Sequence, residues 1–250
     1  MRYLVYCILN GDRHEPRPRL RFFGYPRASI IVRACELGAV ASEISSADLA
    51  PDVARLLAYS KVVEWYHRER TVIPLRYGCI LNTLSDLRRL LKDHQREYLR
   101  LLGELDGHAE MSARVALDDE PRPFSSLRTN LAPRPLARFA GRHQNRPGIA
   151  YLAGRSNYYA CREDFDRRCE EIRRSICELA EGTFVRCAAE SSERGGKRVL
   201  ALHFLVSRRG GDGFKQALRA LPAHCGSAVA VTGPWPPYNF VRSPTAQMPA

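Results

Sequence analysis

No apolar run in this 250-residue chain is long enough to cross a bilayer as a helix. Eight cysteines stand at 7, 35, 79, 161, 169, 177, 187 and 225, with no C-x-x-C pair among them. That spacing excludes a local zinc knuckle or a thioredoxin-like motif. Neither G-x-x-x-x-G-K-[ST] nor G-x-G-x-x-G occurs, so the familiar phosphate-cradling loops are missing. H-E-x-x-H is missing too, although His67 stands near Glu64 and Glu69. Lysine is scarce, at 61, 92, 197 and 215 alone, so arginine carries nearly all of the net charge of +12. A basic balance of this size favours an acidic partner, be it nucleic acid, a membrane surface or a protein, without choosing among them.

What is present suits a globular chain. Hydrophobic residues make up 45% and charged residues 26%, enough apolar material for real cores. The opening "MRYLVYCILNGDRHEP" lacks the long apolar stretch and small-residue cleavage site of a leader. It reads as a first strand, and a cytoplasmic address with reduced cysteines is the expectation.

Strand patterns follow at 3–9, 29–35 and 38–44, a helix at 52–68, and "TVIPLRYGCIL" (71–81) as a strand with a glycine break. Leu84, Leu87, Leu91, His94, Tyr98, Leu101 and Leu105 recur at threes and fours, which predicts one amphipathic helix. Thr83 with Asp86 supplies its capping pair and Gly107 its stop. A strand at 109–117 closes this first unit. Residues 119–147 interleave prolines with arginines, and neither structural period survives there. The second unit starts with "GIAYLAGR" (148–155) and a long helix whose stripe runs from Tyr158 to Leu179. Strands at 183–191 and 197–207 form a hairpin through Gly195-Gly196, followed by a short helix at 212–221 and a strand at 227–233. The expected class is α+β, helices on one face of a small sheet, in two ferredoxin-like or modified ferredoxin-like sandwich domains. Their bounds are 1–118 and 148–241, joined by a Pro/Arg-rich connection at 119–147, with a disordered end at 242–250.

Candidates for chemistry have plainer readings. "RRGGDG" (208–213) is a turn. His94 lies on an apolar stripe and names no partner. Cys161, Cys169 and Cys177 recur every eight residues, and thiols two helical turns apart are about 12 Å from one another, too far to share an ion. The pairs Asp118-Asp119 and Glu170-Glu171 sit at an element end or on a polar helix face, and nothing in the sequence indicates the perturbation that acid–base work needs. No catalytic, cofactor-binding or metal-binding residue is assigned, and the chain is read as not an enzyme. Arginine–proline runs at 13–27 and 121–147 support an alternative, a basic tandem ferredoxin-like nucleic-acid-binding protein. That reading needs an aromatic pair in a basic–glycine–aromatic pattern, and "KRVLALHFLVS" offers only Phe204.

"VVEWYHRERTVIPLRYGCIL" (62–81), "GIAYLAGR" and the terminal "GPWPPYNF" (233–240) together resemble the gas vesicle accessory proteins of the GvpF/GvpL family. "PLRYGC" (74–79) is similar to that family's Pro-Leu-Arg-Phe-Gly-Thr, with Tyr77 and Cys79 as departures. Tyr59 stands where the family often has histidine. The resemblance implies two ferredoxin-like domains, no catalysis and no cofactor. It further implies a cytoplasmic assembly factor that binds the hydrophobic major shell protein and other accessory proteins. On this reading the contact lies on the first unit, around its sheet and "VIPLRYGCIL", with Arg76, Tyr77 and Glu64 as partner-binding residues. An Arg76–Glu64 salt bridge with a purely structural role is the open alternative. In the tail, Gly233 lets the chain turn, and Pro234, Pro236 and Pro237 stiffen it. Trp235, Tyr238 and Phe240 then pack as a clasp or, alternatively, present an aromatic docking site.

Overall fold

Six successive residues of the first strand, Leu4–Leu9, are buried, where a sheet with one wet face would alternate. The computed structural model, which describes residues 2–11, 29–45, 52–117, 163, 165–194, 197–219 and 229–241, explains why. Strand β1 (Arg2–Asn10) is central in an antiparallel sheet, flanked by β3 (Leu37–Ile44) with β2 (Ile30–Ala34) outside it. On its other side run two short pieces, β4 (Ile73–Pro74) and β5 (Ile80–Leu81), both antiparallel to β1. They are the predicted strand with its break, and Gly78 between them has φ +95°. Pro74 is tolerated because this side is the sheet edge.

Helices cover both faces of this sheet, which corrects the expectation of cover on one. Helix α1 (Val53–Glu69) buries Tyr59, Val62, Val63 and Tyr66 against Leu4, Tyr6, Cys7 and Leu9. Helices α2 (Leu84–Asp93) and α3 (Gln95–Leu105) cover Val5 and Ile8 with Leu87, Leu91, Tyr98, Leu101 and Leu105. A register shift between Val5 and Cys7 reverses the alternation, so Tyr6 and Cys7 both join the α1 side.

Caps set the helix starts. Asp52 Oδ1 accepts from the Arg55 amide at 2.8 Å, and Thr83 Oγ1 accepts from the Asp86 amide at 3.0 Å. The single helix expected over 84–105 breaks at His94 (φ −110°, ψ 17°) while its apolar stripe continues. The break redirects the chain from above β2 and β3 to above β1 and β4. His94 itself is half-buried.

The second sheet has the order β7-β8-β6-β9, built from β6 (His108–Leu117), β7 (Arg186–Arg194), β8 (Lys197–Ser207) and β9 (Val229–Trp235). Strand β6, expected to close the first unit, pairs instead with β8 from His108↔Ser207 to Leu117↔Arg198. Its apolar positions, Met111, Ala113, Val115 and Leu117, need the matching face of β8. Helix α4 (165–179) and helix α5 (Gly211–Arg219) cover that face with Ile172, Ile176, Phe214 and Leu218. Adjacency to α3 in sequence concealed this, since the chain changes sheets across Asp106–Gly107, with Gly107 at φ +70°. The β7–β8 hairpin closes at Arg194↔Lys197. The expected connection at 119–147, the "GIAYLAGR" segment and the end at 242–250 lie outside the described residues.

Candidate functional site

Two groups far apart in sequence, 64–77 and 233–240, meet beside α1. The Tyr59 hydroxyl, buried under this helix, donates to the Leu75 carbonyl at 2.8 Å and lies 3.0 Å from the Val5 carbonyl. It ties the interrupted strand to β1, and burial holds its pKa well above the usual phenol range. Tyr77 meets the Tyr59 ring edge-on, with centroids 5.3 Å apart. Tyr238 packs against the same cluster as Tyr77. Burial raises its pKa, and the charges of Glu64 and Glu110 add to the effect. Glu64 and Tyr77 are thus half-buried near the tail, while Arg76 is exposed on the turn between β4 and β5. Among the described residues no ion pair joins Arg76 to Glu64.

The tail crosses from one sheet to the core of the other. Gly233 sits at φ +122°, and a Cβ there would lie 2.7 Å from the Glu110 carbonyl oxygen. Strand β9 continues through Pro234 to Trp235, which pairs with Glu110 on the sheet edge, where proline costs no ladder bond. Trp235 remains 41% exposed and its Nε1 donates to Thr232 Oγ1 at 3.2 Å. Pro236 and Pro237 are buried, and a 3-10 turn follows at Tyr238–Phe240. Phe240 is 4% exposed and belongs to the core under α2 and α3, with the Arg186 guanidinium 5.5 Å from its ring centroid.

A buried polar cluster anchors this crossing. The Asn239 amide donates to Glu110 Oε2 at 2.9 Å, and its Nδ2 donates to Oε1 at 2.7 Å. His203 Nδ1 lies 3.0 Å from both Ser112 Oγ and Glu110 Oε1. A serine–histidine–carboxylate relay uses opposite nitrogens of the ring, with the serine on one and the acid on the other. Here both partners share Nδ1, so the cluster is a hydrogen-bonded anchor for the tail. Sequence reasoning passed over Glu110 and Asn239. The available signal was a glutamate and a serine alternating with Ala109, Met111 and Ala113 on one strand.

Arg208 makes a second crossing. Its guanidinium donates to the His67 carbonyl, to the Arg68 carbonyl at 3.3 Å and to the Arg70 carbonyl at 2.7 Å. The His67 and Arg68 carbonyls belong to the last turn of α1 and Arg70 is its C-cap, an end where the helix dipole favours a cation. Its Nη2 also approaches His67 Nδ1 at 3.1 Å. Burial, with the Arg208 charge adding to it, lowers the His67 pKa to about 4. A cavity of about 580 Å³ opens beside this junction, lined by Asn10, Thr71 and Asp106 among others. No group of three or more metal-ligating side chains occurs among the described residues.

The remaining feature is apolar and exposed. Val53, Leu56 and Leu57 on the first two turns of α1 are 74%, 43% and 56% exposed, ahead of the buried residues that begin at Ala58. The helix itself was predicted, but its outward apolar turn was not singled out.

Residues 2–242 match the family described as gas vesicle synthesis protein GvpL/GvpF. Gas vesicle protein F of a Streptomyces species is 30% identical over 244 residues, covering 95% of this chain and 98% of the relative. Gas vesicle protein L of the same species is 27% identical over 205 residues, covering 80% and 72%. Among solved structures, GvpF from an Anabaena species superposes with a TM-score of 0.70 over 100% of this chain and 97% of that one, at 15% identity. GvpF from Microcystis aeruginosa gives a TM-score of 0.71 over 96% and 98%, also at 15% identity. With a family match running almost from end to end, the chain belongs to the GvpL/GvpF family, and its role is that of a gas vesicle accessory protein.

Proposed function

We propose that this chain is a non-catalytic assembly factor that binds the hydrophobic major shell protein, together with other accessory proteins, in the cytoplasm during vesicle nucleation or growth. The observation that carries the reading is the outward apolar turn of α1, Val53, Leu56 and Leu57. Both faces of the first sheet are covered by helices, and among the described residues the exposed large apolar side chains of this unit, Val53, Leu56 and Leu57, are on a helix. Burying aliphatic side chains of this size stabilises a complex by about 1.5–3 kcal/mol each. A shell subunit awaiting assembly exposes apolar helices that aggregate, and a helix-on-helix contact would shield them. Arg76, Tyr77 and Glu64, on the same unit, would supply polar contacts that orient the partner. The tail from Gly233 to Phe240 acts as the clasp that holds the two sheets together.

Strand order supports the architecture expected from sequence. The second sheet and its helices run strand–helix–strand–strand–helix–strand, and we infer a ferredoxin-like unit there. The first has the same strand order, and we infer a modified version, the two units meeting at the Asp106–Gly107 turn.

Co-purification with tagged shell protein tests the binding. Wild-type chain should be retained. A Val53→Glu/Leu57→Glu double variant should melt like wild type, because both positions are exposed, yet be lost from the bound fraction. Equal retention of the variant would move the contact off α1, and no retention of either would overturn the binding itself.

A further inference from the structure

Cys177 and Cys187 form a second, chemically distinct feature, away from the proposed partner surface. Cys177 is in the last turn of α4 and Cys187 near the start of β7, both half-buried at the margin of the core of the second sheet. Their sulfurs are 3.8 Å apart, with the Cys177 thiol donating to Cys187 Sγ. The Cys187 thiol in turn faces the Ala188 carbonyl at 3.9 Å. Cys169, two turns earlier on α4, is about 12 Å away along the helix and cannot compete.

We propose that Cys177 and Cys187 are a redox-closable pair that a hydroperoxide joins into an intramolecular disulfide, stapling α4 to β7. A disulfide needs the sulfurs at roughly 2 Å, within reach of side-chain rotation from van der Waals contact. One thiolate attacks hydrogen peroxide, breaking the O–O bond to form a sulfenic acid and expel hydroxide, which takes up the proton the thiol had lost and becomes water. The second thiol attacks that sulfur and releases another water, so two thiol hydrogens and two electrons pass to the peroxide. Arg173, gripped by Glu170 through two hydrogen bonds, favours the Cys187 thiolate. Burial outweighs it and pushes the Cys187 thiol up to about 12, so Cys187 rests protonated and closure quickens as pH rises.

The test treats reduced full-length protein with hydrogen peroxide at about pH 7 and about pH 9, blocks remaining thiols, and maps peptides by mass spectrometry. The expected product is one cross-linked peptide pair carrying Cys177 and Cys187 with two hydrogens lost. It should form faster at the higher pH and be reversed by dithiothreitol. The oxidised protein should melt higher than the reduced one. Separate sulfinic acids at the two positions, or either cysteine linked elsewhere, would overturn the proposal in the wild-type protein itself. A Cys177→Ser variant should leave Cys187 unlinked.

Discussion

Asn239 donates twice to the buried carboxylate of Glu110, once from its backbone and once from its side chain, at 2.9 and 2.7 Å. A turn in the tail is thereby fixed to the interior of a strand 129 residues earlier. Removing the carboxylate orphans two donors and strips His203 and Ser112 of a partner. Glu110→Ala should therefore cost about 1–3 kcal/mol of stability. Chemical denaturation measures that loss. Hydrogen exchange should show earlier opening of 236–241 than of β1.

Histidine 67 imposes an acid limit. Its pKa falls from the ordinary 6.5 to about 4 in the folded chain, through burial and the neighbouring Arg208. A depressed pKa means that the unfolded state binds the proton first, so this contribution is complete above about pH 6.5 and is lost as pH falls toward 4. The loss amounts to at most about 3 kcal/mol. Melting temperature should drop between about pH 7 and about pH 5, and His67→Gln should flatten that part of the profile.

Gly233 has no tolerable substitute. Its φ of +122° disfavours any side chain, and a Cβ would strike backbone of β6. Gly233→Ala should cost at least about 1–3 kcal/mol, measured as a lower denaturation midpoint with an unchanged slope. An equal change at Gly103, where a Cβ meets nothing within 4 Å, should leave the midpoint unchanged or higher.

The tail aromatics should contribute unequally. Phe240 is enclosed by the core under α2 and α3, so Phe240→Ala should cost about 3–5 kcal/mol. Trp235 is left partly in water, and its truncation should cost far less. Comparable losses at both positions would contradict the burial order. Deleting 233–250 should lower the melting temperature.

Local patterns predicted most elements because local physics makes them. The apolar run of β8, the capping pair Thr83–Asp86 and the stripe from Leu84 to Leu105 are all short-range signals. Long-range choices were hidden. Nothing near β6 tells it to leave α3 and pair with a strand some ninety residues later. The two-sided cover of β1 could be read only from its unbroken apolar run, "YLVYCIL", once the bulge after Val5 was known. The meeting of Tyr77 with the tail, and of Glu110 with Asn239, depends on that pairing. No spacing along the chain encodes it. Exposure of Val53, Leu56 and Leu57 was equally illegible, because an apolar helix turn looks the same whether a core or a partner covers it.

Light scattering offers the most direct test of the claim that α1 shields an aggregating subunit. Shell protein diluted from denaturant should scatter progressively alone, and stoichiometric addition of this chain should suppress the rise. The Val53→Glu/Leu57→Glu variant should fail to suppress it while remaining folded. Scattering that is unchanged by the wild-type chain, or suppressed equally by the variant, would contradict the account.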